Sequence, residues 1–259
     1  MSENYLYRTV CKHDCGKREV VKDLIVREFP LTLFVNEREI VTMVCSPNDL
    51  KELGVGFLLS EGLIQNSKNI VELECQESEG LLHIRIYPEP SNTNSFLRRN
   101  IASCCGKGRA GLYFINDARQ VKEVKASGCF TKNLLLRHMS WLEKNARSFR
   151  LTGGVHSAAL ANDRILLMAE DIGRHNAVDK VLGALCLQGM ETADTCLLLS
   201  GRVSSEIVIK AARANIPLML SKGAPTDLAI DLAEDLNITL IGFARENRLN
   251  IYSHPERVR

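Results

Sequence analysis

The second half of the chain alternates short apolar runs with amphipathic segments of roughly ten to thirteen residues, the pattern of strands and crossover helices. Strand-like runs at 158–161 with 165–169, at 195–199, 218–220, 239–241 and 249–252 are interleaved with helix-like runs at 176–188, 204–215 and 225–235. Such an alternation builds an α/β layer, here expected as a largely parallel sheet with helical crossovers. Residues 131–147 place an amphipathic helix ahead of it, with Leu134, Leu135, His138, Trp141 and Leu142 on one broad face.

The first half reads differently. Val20–Val26, Leu31-Thr32-Leu33-Phe34-Val35 and Ile40-Val41-Thr42-Met43-Val44 are strands, with Asn36-Glu37-Arg38-Glu39 as a hairpin turn. Ser46-Pro47-Asn48-Asp49 is a helix-start signal, followed by Leu50, Leu53, Phe57 and Leu58 at helical spacing and a stop near Gly62. Leu81-Leu82-His83-Ile84-Arg85-Ile86-Tyr87 is a further strand. The expected organisation is a flexible tail over 1–19, a strand-rich subdomain over 20–130 and an α/β domain over 131–259.

Glycine and cation meet at each turn of the α/β half: Leu151-Thr152-Gly153-Gly154-Val155-His156-Ser157, Glu170-Asp171-Ile172-Gly173-Arg174-His175-Asn176, Leu199-Ser200-Gly201-Arg202-Val203-Ser204-Ser205 and Ser221-Lys222-Gly223-Ala224-Pro225-Thr226. Where a strand ends and a helix begins, free backbone N–H groups and the positive end of the helix dipole favour anions. Ligands of open α/β sheets collect at the carboxyl edge of the strands. Arg174, Arg202 and Lys222 would add charge there. No P-loop and no G-x-G-x-x-G follows a strand, so an ordinary ATPase or dehydrogenase is not expected. A serine-hydrolase grouping of Ser200 or Ser204 with His156 or His175 and Asp171 is disfavoured by the absence of a G-x-S-x-G elbow. A cysteine hydrolase built on Cys105 and one of these histidines has no local signature either. His175 is open between a ligand-facing role and capping of the following helix. Gly242-Phe243-Ala244-Arg245-Glu246-Asn247-Arg248 is either a polar hairpin turn or an aromatic ring and two arginines placed to stack on a base and pair with phosphates.

The chain has nine cysteines. Cys45, Cys75, Cys186 and Cys196 lie in apolar or alternating segments, as small buried hydrophobes do. Cys11-Lys12-His13-Asp14-Cys15 has a metal-like spacing without a second ligand pair, so no metal site is expected. Cys104 and Cys105 stand apart. They sit in Ser103-Cys104-Cys105-Gly106-Lys107-Gly108-Arg109-Ala110-Gly111, a glycine-rich run in which neighbouring cations lower a thiol pKa and enlarge the thiolate fraction. Thiols in such a loop suit the carriage of sulfur.

A formal net charge of +2 over 259 residues argues against general affinity for nucleic acid or membrane. No apolar stretch approaches the roughly 20 residues of a membrane span. A start of Met-Ser-Glu-Asn has no apolar signal core, so a cytoplasmic location is expected.

Taken together, Ser103-Cys104-Cys105-Gly106-Lys107, Thr152-Gly153-Gly154-Val155-His156, the stretch from Glu170 to Lys180, Ser200-Gly201-Arg202 and Gly242-Phe243-Ala244-Arg245 resemble the FdhD family, accessory sulfurtransferases of formate dehydrogenase. The resemblance implies a cytidine-deaminase-like α/β domain, although the H-x-E and P-C-x-x-C zinc signature of deaminases is absent and deamination is not expected. It implies a persulfide on Cys105, supplied by a cysteine desulfurase. The sulfur then passes to a molybdenum (or tungsten) bis-pterin guanine dinucleotide cofactor bound for formate dehydrogenase. Guanine-nucleotide contacts fall on Phe243, Ala244, Arg245, Glu246, Asn247 and Arg248, and the family suggests a homodimer. The alternative is a non-catalytic chaperone that binds the same cofactor. One departure stands out. Where the family often has Cys-Gly-x-Cys, this chain has Cys105-Gly106-Lys107-Gly108, leaving the role of Cys104 open.

Overall fold

A computed structural model describes residues 4–89, 121–126 and 128–259. Cys104 and Cys105 lie outside the described residues.

The expected N-terminal tail is instead a ribbon. β1 (Tyr5–Asp14) pairs antiparallel with β2 (Lys17–Val26) along its whole length. Cys15 and Gly16, both at positive φ, make the two-residue turn that a tight hairpin needs. Only Tyr5 and Val10 of β1 are even partly covered, so burial imposes no apolar alternation on its sequence. Arg18 Nε donates to Cys11 Sγ at 3.0 Å, so the cysteine with the metal-like spacing sits on a strand face beside a cation.

β3 (Phe29–Val35), β4 (Arg38–Cys45), β5 (Ile70–Gln76) and β6 (Leu81–Ile86) form a four-stranded sheet in the order β4-β3-β6-β5. β5 has no counterpart among the expected strands; none of its residues is fully buried, and its pairing with β6 shifts register between Ile70 and Glu72. Between β4 and β5 runs α1 (Leu50–Glu61), which ends on Gly62 at φ 74°.

The second half holds α2 (Lys132–Asn145), α3 (Arg147–Thr152), β7 (His156–Ala161), β8 (Ile165–Asp171), α4 (Arg174–Gln188), β9 (Cys196–Leu199), α5 (Ser205–Arg213), β10 (Leu218–Ser221), α6 (Asp227–Asp235), β11 (Thr239–Arg245) and β12 (Arg248–Ser253). The six strands order as β12-β11-β10-β9-β7-β8. The mixed α/β class is as expected, but the sheet is not largely parallel. Only β9, β10 and β11 run parallel; β7 is antiparallel to β8 and β9, and β12 to β11. The β7–β8 and β11–β12 connections are hairpin-length, and a parallel pair needs a crossover of a dozen residues or more.

The central strands are apolar on both faces because both are covered. Leu197, Met219 and Leu240 join a core that also contains Leu31 and Leu33 of β3, Leu53 and Leu58 of α1, and Val181 and Leu182 of α4. Leu198, Leu218, Leu220 and Ile241 face the other way, against Leu135, Met139 and Leu142 of α2. One continuous core therefore spans the two halves of the chain. α1 and α4 cross at Gly56 and Gly183, where a Cβ on either would overlap a backbone carbonyl oxygen, of Asp179 or Glu52 respectively. Glycine here permits helix axes to approach at backbone contact.

Candidate functional site

The antiparallel placement of β7 has a consequence for the site. Ala158 pairs with Leu199 and His156 with Asp171, so the start of β7 and the end of β8 lie at the carboxyl ends of β9, β10 and β11. All the glycine-and-cation turns are thereby brought to one sheet edge. Short backbone bonds lace them together. Ser200 N–H donates to Ser157 O at 3.0 Å, Lys222 N–H to Leu199 O at 3.0 Å and Phe243 N–H to Gly223 O at 3.1 Å. Gly223 packs so closely that an added Cβ would lie 2.8 Å from the Arg202 backbone nitrogen. The imidazole of His156 sits against Gly201, where a Cβ would be 3.2 Å from its Nδ1.

Arg174, Arg202, Arg245 and Arg248 have no carboxylate partner among the described residues. Arg245 and Arg248 stand directly opposite one another at the end of the β11–β12 hairpin, both exposed. Like charges in facing positions repel, and the repulsion is relieved when an anion lies between them. Lys222 is different: its Nζ reaches Glu143 Oε1 of α2 at 2.6 Å.

Phe243 adopts φ 52°, a left-handed conformation rare for a bulky side chain, at a bulge between Gly242 and Arg245. The bulge leaves its ring exposed while Ala244 is fully buried. Beside the turn, a cavity of about 670 Å³ is lined by Arg137, Ser140 and Glu143 of α2 and by Arg245, Glu246 and Asn247. Its volume falls in the range of small-molecule and cofactor sites. Of the expected contact segment, Arg245, Glu246 and Asn247 thus line a cavity, Phe243 and Arg248 present exposed side chains, and Ala244 is turned into the core.

His156 and His175 are both pushed toward the neutral form. Burial, reinforced by Lys210, Arg174 and His156, pushes the His175 imidazole down to about 3. Burial and then Arg174 lower His156 as well, against a smaller opposing pull from Asp171. His175 is not a cap: α4 begins at Arg174 with Gly173 as its N-cap, and no side chain closes it. Its Nδ1 instead lies 3.2 Å from Glu206 Oε2 of α5. Glu206 and Glu143 were not among the residues singled out from the sequence, because their partners come from distant elements.

The serine-hydrolase grouping does not assemble among the described residues. Both Asp171 oxygens are occupied, Oδ2 by Lys180 Nζ at 2.7 Å and Ser46 N–H at 2.9 Å, and Oδ1 by Gly173 N–H at 2.8 Å and Asn176 Nδ2 at 2.9 Å. Ser200 Oγ accepts Ser157 N–H at 2.9 Å. Much of the 170–180 stretch therefore serves to lock the edge onto the β4–α1 connection. A second buried pair ties α4 to α5 and to the end of α1: Lys210 Nζ meets Asp179 at 2.6 and 2.7 Å, and Ser60 Oγ donates to the same carboxylate at 2.5 Å.

Four of the described cysteines are held as thiols by burial. Cys45 and Cys196 are pushed up to about 12, and Cys75 and Cys186 are raised. Protonated, buried thiols are poor nucleophiles.

Fold and site together define a mixed α/β protein whose glycine turns meet at one sheet edge, with arginines there that have no carboxylate partner among the described residues. The chain belongs to the FdhD/NarQ family, whose model matches residues 26–259. It is 43% identical over 254 residues to the sulfur carrier protein FdhD of Bacillus subtilis strain 168, covering 97% of each chain. Against the sulfur carrier protein FdhD of Halalkalibacterium halodurans the identity is 45% over 240 residues, covering 92% of this chain and 89% of the other. Its structure is similar to the crystal structure of a Desulfotalea psychrophila protein assigned as a formate dehydrogenase accessory protein. The TM-score is 0.81 at 25% identity, over 99% of this chain and 100% of that one. No helix among the described residues is long and apolar enough to cross a membrane.

Proposed function

We propose that this protein is a sulfur carrier for formate dehydrogenase. In this reading a cysteine desulfurase presents a persulfide, and the Cys105 thiolate attacks its terminal sulfur. The donor's S–S bond breaks, its thiolate leaves, and Cys105 holds the sulfur as a persulfide. The acceptor is the molybdenum (or tungsten) bis-pterin guanine dinucleotide cofactor, bound as substrate along the sheet edge, with Phe243, Ala244, Arg245, Glu246, Asn247 and Arg248 forming the turn that takes a guanine nucleotide. A cytidine-deaminase-like ancestry of the α/β layer, a homodimer and a cytoplasmic location belong to the same proposal.

The observation that carries it is the convergence of Arg174, Arg202, Arg245 and Arg248, without carboxylate partners among the described residues, beside an exposed Phe243. A dinucleotide cofactor offers phosphates to the guanidinium groups and a ring for the phenyl face. Family membership, with relatives named as sulfur carrier proteins, supports the same reading.

The experiment is persulfide mapping after incubation with a desulfurase and cysteine, on wild type, Cys104→Ala and Cys105→Ala. One added sulfur on the Cys105 peptide, absent in Cys105→Ala, supports the carrier role. A Cys105→Ala protein that still accepts sulfur and still activates formate dehydrogenase overturns it.

A further inference from the structure

We infer that Glu143 is a specificity-determining residue of the sheet edge: it holds Lys222 in the place of a ligand anion, and so selects against simple anions in favour of a ligand that reaches both the edge and the adjoining cavity. The inference rests on the proposed phosphate-bearing substrate and names what keeps smaller phosphates from competing for its site.

Of the lysine and arginines at the edge, Lys222 alone has a carboxylate partner among the described residues, Glu143 Oε1 at 2.6 Å. Its backbone is fixed at the middle of the edge. Lys222 N–H donates to Leu199 O, and the next residue, Gly223, lies against the Arg202 backbone and accepts Phe243 N–H through its carbonyl. The side chain then reaches across to α2, where Glu143 lines the cavity with Arg137, Ser140 and Arg245. Glu143 gives α2 nothing in return. It sits in the last turn, where the helix dipole disfavours a negative charge, and no lysine or arginine of α2 stands three or four positions from it. The ion pair with Lys222 is the interaction its position serves.

The pair is open to exchange. Both side chains are 42% exposed, in contrast to Asp171 and Lys180, which are wholly enclosed. An exposed ion pair contributes little to stability and gives way when a stronger acceptor arrives. A phosphate group is such an acceptor for a lysine. Pyrophosphate bound to Lys222 must displace Glu143 and then lies beside the carboxylate it displaced, and like charges at that range repel. A nucleotide that extends into the cavity brings N–H and O–H donors, which the freed carboxylate accepts. The same side chain therefore opposes the small anion and receives the larger ligand.

The test is calorimetric titration of the full chain with pyrophosphate and with GDP, on wild type, Glu143→Gln, Lys222→Met and the double variant. Both positions are exposed, so the fold is expected to persist. We expect Glu143→Gln to bind pyrophosphate about fivefold more tightly, the loss of one exposed competing ion pair, and to bind GDP no more tightly than wild type does. In the Lys222→Met background the same change should alter pyrophosphate affinity by less than about twofold. The inference is overturned if Glu143→Gln leaves pyrophosphate affinity unchanged, if the full gain persists without Lys222, or if GDP gains in parallel. A wild type that does not bind GDP overturns the proposed substrate itself, whereas intact GDP binding without the pyrophosphate gain overturns only the role of Glu143.

Discussion

Asp171 and Lys180 meet at 2.7 Å with neither side chain exposed to solvent, and around them Ser46, Gly173 and Asn176 fill the remaining hydrogen-bonding capacity of the carboxylate. Lys180 Nζ also reaches the Ser46 carbonyl at 3.2 Å and the Glu170 carbonyl at 3.4 Å. The pair joins the β4–α1 connection to the end of β8 and the first turns of α4, so the position of the cation-lined edge depends on it.

Breaking that pair leaves a charge buried without its partner, which costs about 3–5 kcal/mol. Asp171→Ala and Lys180→Ala are each expected to lose stability on that scale in urea denaturation. Asp171→Leu combined with Lys180→Met should lose less than either single change, since no unpaired charge remains. A single substitution that costs under about 1 kcal/mol would contradict the account.

His175 makes stability depend on pH. Unfolded, it takes up a proton near its ordinary value of 6.5; folded, it resists protonation down to about 3. Between those values the unfolded chain holds one proton more, so stability falls as pH is lowered, by up to about 1.4 kcal/mol per pH unit. His175→Gln, which has nothing to protonate there, should show a shallower fall between pH 6 and pH 4 in parallel denaturation curves. Identical slopes would mean that His175 is protonated in the folded protein.

Phe243 pays a conformational penalty for its exposed ring. Phe243→Gly relieves the left-handed strain, worth about 1 kcal/mol or slightly more, and gives up the covered part of a ring that is 36% exposed, so the two effects largely offset. Its thermal midpoint should change little while its affinity for GDP falls by fivefold or more. A destabilised variant with unchanged affinity would assign the ring to packing rather than to ligand stacking.

The strands β1 and β5 were not legible in the sequence, whereas residues 20–26 of β2 were. Neither β1 nor β5 contains a fully buried residue, so burial imposes no clear apolar face on their sequences. The helices and central strands were legible because their apolar spacing is dictated by burial alone. The chain's own residues determined the mixed α/β class, the elements of its second half, the glycine-and-cation turns and the candidate segment from Phe243 to Arg248. Tertiary structure decided that β7 runs antiparallel to β9, and only that reversal gathers the turns onto one edge. It also decided the partners. Glu206 for His175, Glu143 for Lys222 and Lys180 for Asp171 are joined by the packing of separate elements, and in the first two pairs the residues are more than 30 positions apart. Local sequence sets which groups are present; the long-range packing of helices and sheet sets which of them are neutral, paired or left facing a ligand.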